Sequence, residues 1–387
     1  MNRYKKSLNL RLFFSSVKER TGILVKYILF FCFSFTPVLQ GQILKDTASV
    51  NLLKTGVDEI YNLRFDKARA AAQQLNHSLP EHPVIYLLNG MITYWENYPL
   101  IPSSPASLSY ESDMRNCIRI CEETHDNNYY AEYLMANLGA RGMLLMYYAD
   151  NNLTEKVIPL AKSTYRYLRQ SFDYTSVFSD FYFFTGLYNY YREAYPDAHP
   201  IYKVVAFLFP KGDIAKGLGE LQTAAQNSII LRAESLFFLS LIYTNFENNY
   251  KEACLSSKSL YELYPANLQY LAGYVKSLLL AKKYNEAETI IKSSKSEMGN
   301  FYFQAQLSIL NGILQEKKYH NYAEARKYYN KGISDISAFG YYGNEYAAYA
   351  YFGLSRAFEI EGDKRNRKIC RKKALELTDF KKVNFDD

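Results

Sequence analysis

Cys117, Cys121 and His125 stand one helical turn apart and are the first residues whose types and spacing could do chemistry. On a helix they share one stripe, and thiolate with imidazole is a zinc-type donor set. Such sites take four ligands, or three plus water, and no fourth cysteine or histidine lies nearby. Small buried hydrophobes on an inner helix face are therefore the expected role, as for Cys254 and Cys370. His77, His82, His125, His199 and His320 are scattered, and His77 and His82 flank Pro80, where solvated loop histidines are expected. HExxH, GxSxG, CxxC and GxxxxGK[ST] do not occur in the 387 residues, and the GLG of IAKGLGELQTAA lacks the third glycine of a dinucleotide loop. Asp213, just before it, reads as a helix N-cap. No catalytic residue, metal or cofactor is expected.

Aromatic rings are the other candidates. The chain has 38 Tyr and 24 Phe against one Trp, and FYFFTGLYNYYREAY (181–195) holds more rings than one apolar stripe can use. Phe183, Tyr190 and Tyr191 are candidate groove aromatics, able to offer a peptide or a sugar ring a large contact area with a polar tip. The competing expectation is that rings serve as packing knobs.

Of 46 basic residues seven lie in 1–41, and of 39 acidic residues only Glu19 does, so the rest carries 39 basic and 38 acidic groups. Nucleic-acid binding, which needs clustered cations on the folded body, loses its support. In 1–41 a basic stretch precedes the apolar run YILFFCFSF (27–35) and Thr36-Pro37, the parts of a secretory signal. Cleavage is expected between Gly41 and Gln42; the alternative is a retained anchor, although Ile23 to Leu39 falls short of the roughly 20 residues that span a bilayer. Cys32 follows two phenylalanines and does not fit a lipoprotein acceptor. The mature chain is then expected in the periplasm or cell envelope, and it is too sparse in cysteine for a disulfide-stapled domain.

The elements that must position these residues repeat. NYKEACLSSKSLYEL and KYNEAETIIKSSKSE superpose without gaps at a spacing of 34, Tyr250 on Tyr284 and Ala253 on Ala287. An aromatic with Ala three later recurs at Phe65/Ala68 and Tyr322/Ala325, and upstream of each lies a second apolar helical stretch, as in Leu236, Leu239, Ile242 and Tyr243. Two antiparallel helices about 8–10 Å apart need a small residue where they cross. No single hairpin buries its apolar face, so copies must stack. These residues resemble the tetratricopeptide repeat family, whose unit is a 34-residue helix–turn–helix. The stretch 362–377 also resembles that unit's second helix, with Ala374 at its second small position and Arg367 where the family has Ala.

The expected fold is an all-α solenoid of about eight stacked helix hairpins, near 46–80, 82–125, 127–171, 175–227, 229–265, 266–298, 299–337 and 344–379. Degenerate hairpins are expected over 42–227 and more regular repeats over 228–387. The resemblance implies a concave groove lined by first helices that binds a partner protein or peptide; the rival is a glycan or small-molecule binder using groove aromatics.

Two insertions interrupt the period. YPLIPSSPASLS (98–109) is expected as a surface loop. The second, 197–213, contains IYKVVAFLF (201–209), which either folds back over the side of the solenoid or presents an apolar patch to a partner or a membrane. The basic run of 364–373 reads as a solvated cap, with peripheral contact to anionic headgroups as the sharper alternative.

Overall fold

The computed structural model describes residues 43–124, 130–200, 203–207, 209–294, 299–378 and 385, apart from the side chains of Val204 and Val205. The expected signal segment, its cleavage site and His125 lie outside the described residues. The chain divides into two units after Gly41, and the described residues all belong to the larger one.

Among the described residues every long element is an α-helix and none is a strand. The helices pack as eight hairpins: α1 (Thr47–Tyr61) with α2 (Phe65–Ser78), α3 (Pro83–Glu96) with α4 (Pro105–Glu123), α5 (Tyr130–Asp150) with α6 (Thr154–Ser171), α7 (Phe181–Ala198) with α8 (Ile214–Asn227), α9 (Arg232–Asn245) with α10 (Tyr250–Leu263), α11 (Leu268–Leu280) with α12 (Tyr284–Ser293), α13 (Phe301–Lys317) with α14 (Tyr322–Ile336), and α15 (Asn344–Ile360) with α16 (Lys364–Leu377). Each packs on the next, as an α-solenoid of helical repeats does.

One turn recurs in six of the eight. Leu63, Asn152, Asn248, Lys282, His320 and Gly362 each take the left-handed conformation, with φ between 51° and 76°, one residue before the N-cap of the second helix. In four of these turns the next amide donates five residues back, as Arg64 N to Glu59 O (2.9 Å) and Lys283 N to Leu278 O (2.9 Å), which closes a Schellman-type helix end. Asn249 and Asn321 then cap their second helices through side-chain oxygens that accept from Glu252 N (3.2 Å) and Glu324 N (3.1 Å).

Ala68, Ala253, Ala287, Ala325 and Ala374 are all buried at hairpin crossings. In the fourth hairpin glycine takes this role: a Cβ on Gly217 would lie 2.6 Å from Tyr190 N, and one on Gly186 3.0 Å from Gly217 O. We expect Ala253→Leu and Ala287→Leu each to lower stability by about 1–3 kcal/mol, because both alanines are almost fully buried and the added carbons overpack the site. Denaturant melts check this, and wild-type midpoints for both would contradict the crossing register.

The two insertions behave differently from each other. Residues 105–109 of the first belong to α4 rather than to a loop. The loop before it does not stay on the surface: Leu100 is buried and Tyr98 reaches the aromatic interior, because one face of the segment is apolar despite its prolines and serines. The second folds back along α7, with Tyr188 Oη donating to Pro210 O (2.7 Å) and Phe209 edge-on to Tyr165 at 4.7 Å. Phe207 in the same segment remains 86% exposed.

Candidate functional site

Repeat arrays ordinarily touch only their nearest neighbours. Here rings from the first two hairpins meet rings some two hundred residues later. Tyr61 packs against Tyr264 (5.3 Å between centroids) and Tyr270 (6.2 Å), and Trp95 lies edge-on to Tyr270 at 5.5 Å. Tyr98 stacks on Trp95 (5.4 Å) and meets Tyr302 (5.9 Å) and Tyr342 (5.5 Å) edge-on. Tyr94, Tyr110 and Tyr147 continue the cluster toward α5.

Hydrogen bonds fix the same closure. Asn267 Nδ2 donates to Tyr61 O (3.2 Å), Tyr264 Oη to Asp58 (3.1 Å), and Asn151 Nδ2 to Tyr342 Oη (3.3 Å). Tyrosine suits this position, since its ring offers a large apolar surface while its hydroxyl reaches a polar partner.

Carboxyl groups stand among the rings. Asp150, at the end of α5, is pushed up to about 7 by burial, and Glu234, which accepts from Tyr61 Oη, to about 8 for the same reason. Both folded values exceed those of the unfolded chain, near 3.9 and 4.3, so the folded state binds the extra protons. Stability from these two groups is then greatest at low pH and falls as pH rises from about 4 toward 8. Asp150→Asn and Glu234→Gln should flatten that slope; urea midpoints at pH 5, 6.5 and 8 measure it, and unchanged slopes in both variants would contradict the assignment.

At its C-terminal end the interior face becomes charged and partly open. Lys276 of α11 donates to Glu345 of α15 at 2.9 Å, passing over the hairpin between them. Glu345 also accepts from Tyr349 Oη (2.6 Å), and Tyr346 lies edge-on to Tyr349 at 6.0 Å. Burial presses the Glu345 carboxyl upward, but Lys276 and Tyr349 outweigh it and hold it below the ordinary range. Its side chain remains 46% exposed and anionic, and Lys276 is almost fully buried. Of this set only Glu345 reaches solvent; Lys276, Tyr346 and Tyr349 are buried beside it and fix its carboxylate.

The residues singled out from sequence lie elsewhere. Phe183 is buried against Phe184 (5.3 Å) and Phe238 (5.6 Å). Tyr190 is fully buried, with Oη donating to Glu247 at 2.5 Å, and half-buried Tyr191 packs on Tyr190 and Phe246. All three are taken up in seating the fourth hairpin on the fifth, through Phe238, Phe246 and Glu247.

Cys117 is buried and donates to Ala136 O (3.5 Å), and burial pushes the Cys121 thiol well above the ordinary thiol value. No group of three or more metal-type donors occurs among the described residues. His77 is exposed, but His82 is not a solvated loop residue. It is buried, its Nδ1 accepts from Val84 N (3.3 Å) at the head of α3, and its Nε2 lies 3.4 Å from Glu132. Asp213 caps α8 through Lys216 N (2.9 Å).

In α16, Cys370 and Ala374 face inward. Its basic residues are largely exposed, with Lys373 over the Tyr351 ring at 5.3 Å and Arg367 paired to Glu359 at 3.3 Å. Beside it an open cleft of about 390 Å³ lies between Ile333, Tyr341, Ala347, Tyr351 and Leu377. Among the described residues no helix is long and apolar enough to cross a membrane.

Lys276, Glu345 and Tyr349 were not evident as a set from sequence. The one available signal was Lys276 itself, a single charge inside the apolar stretch LQYLAGYVKSLLL. Compared with protein-family models and with curated proteins, the chain matches none.

Proposed function

We propose that the chain is an exported, non-catalytic scaffold of the cell envelope, a tetratricopeptide-like solenoid whose inner face holds a segment of a partner protein. The observation that carries this reading is the exposed Glu345 carboxylate of α15, fixed by Lys276 two first helices away and by Tyr349. A sugar site would instead cluster two or three open rings in one concavity, and the candidate rings of the fourth hairpin are packed inside. Rings and hydrogen bonds across the axis hold the face in shape, so a partner segment docks with little ordering of the scaffold itself. The basic and apolar N-terminal segment supports export with removal near Gly41.

The test is recovery of the tagged chain from its native envelope fraction in moderate salt. One protein at near-equal amount, lost with a folded Glu345→Lys variant, is the expected result. A chain that elutes alone would overturn the scaffold reading.

A further inference from the structure

The inner face at the C-terminal end is touched by the chain's own tail. The last helix ends at Leu377, and Phe385, eight residues later, is buried. Its ring stands edge-on to Tyr349, with centroids 5.3 Å apart and planes at 88°. Phe385 joins the apolar cluster that contains Tyr346, Tyr349 and Ala350, so it covers the ring whose hydroxyl binds Glu345. Phe385 thus lies on the face assigned above to a partner. Such a ring pair adds about 0.5–1.5 kcal/mol to area burial.

We propose that Phe385 is an internal ligand: it occupies the position on Tyr349 where an aromatic side chain of the partner's peptide docks, and the tail and the partner compete for it. This rests on the scaffold reading and specifies the partner's chemistry as an extended peptide with an exposed aromatic residue. A tether of a few residues supplies an effective concentration in the millimolar range, so a site that is mostly filled in the free chain binds the same sequence in trans with Kd at or below about 1 mM. When the tail fills the site about nine-tenths of the time, the apparent affinity for an outside peptide falls about tenfold.

The probe is the synthetic peptide of residues 381–387, Lys-Lys-Val-Asn-Phe-Asp-Asp, with a second copy carrying Ala in place of Phe. Each is titrated by NMR against the full-length chain and against full-length Phe385→Ala. The phenylalanine peptide should bind Phe385→Ala with Kd at or below about 1 mM, and the unaltered chain about tenfold more weakly. The alanine peptide should bind neither.

Equal binding of the two peptides, or no binding to a Phe385→Ala chain whose circular dichroism is native, overturns the proposal. The scaffold reading fails separately. If Phe385→Ala binds the peptide but elutes alone from the envelope fraction, the internal ligand stands and the scaffold does not. If a partner co-elutes equally with both chains and neither binds the peptide, the scaffold stands and the internal ligand does not.

Discussion

Tyr329→Ala is expected to lower stability by about 3–5 kcal/mol, the range for emptying a large aromatic site in a close-packed core. The ring is fully buried in α14, between two glycines of neighbouring first helices. A Cβ on Gly312 of α13 would lie 2.6 Å from the ring, and one on Gly353 of α15 2.3 Å from it, so both helices are seated directly on the tyrosine. Its hydroxyl donates to Glu316 (2.7 Å), itself buried and held by Arg356 Nε at 2.5 Å. Alanine leaves a void between three helices and also strips a donor from a buried carboxylate. Tyr329→Phe separates the two effects and should lose only about 1.5–3 kcal/mol, the worth of a hydrogen bond to a charged group. Chemical denaturation measures both, and equal losses for the two variants would contradict the seating of the ring.

A loss of about 3 kcal/mol or more is expected for Asp180→Ala, because buried amides left without an acceptor lose about 1–3 kcal/mol each. Asp180 is fully buried just before α7 and accepts from three successive amides, Ile229, Ile230 and Leu231, each at 2.8 Å. Those amides lie at the entrance to α9, so one carboxylate ties the fourth hairpin to the fifth. Burial pushes it up to about 6, against three donors that favour the anion. Asp180→Asn, which offers one acceptor oxygen instead of two, should fall between alanine and wild type in the same melts. Wild-type stability of Asp180→Ala would show that the loop 228–231 is held by something else.

Local rules made the hairpins legible. The 34-residue spacing of Tyr250/Tyr284 and Ala253/Ala287 reports a helix crossing, and the crossing alanines are buried as that geometry requires. The shared turn was harder to read, since only Gly362 among its six left-handed residues is glycine and the others include Leu63, Lys282 and His320. Least legible was the contact between distant hairpins. Nothing in the neighbourhood of Tyr61 or Tyr98 indicates that the partners are Tyr264 and Tyr342, because ring contacts at such separation depend on the accumulated twist of the whole array. The abundance of tyrosine is visible, but its reason lies in that closure. The ring-rich stretch 181–195 instead seats the fourth hairpin on the fifth, Phe183 on Phe238 and Tyr190 and Tyr191 on Phe246. Phe385 carried no distinguishing signal, being one of two rings, with Phe380, in a polar tail.

Contacts between distant hairpins close the solenoid across its axis, so it behaves as one body with a preformed inner face. The only tryptophan of the chain, Trp95, sits in that closure between Tyr61, Tyr98 and Tyr270 and is a built-in reporter of it. The most direct measurement is a denaturant titration followed by tryptophan fluorescence and by helical circular dichroism on the same samples. Closure predicts coincident midpoints and slopes, as for a single cooperative unit. A fluorescence transition well before the loss of helix would mean that the hairpins hold together only through neighbours, as in an open array, and would contradict the account.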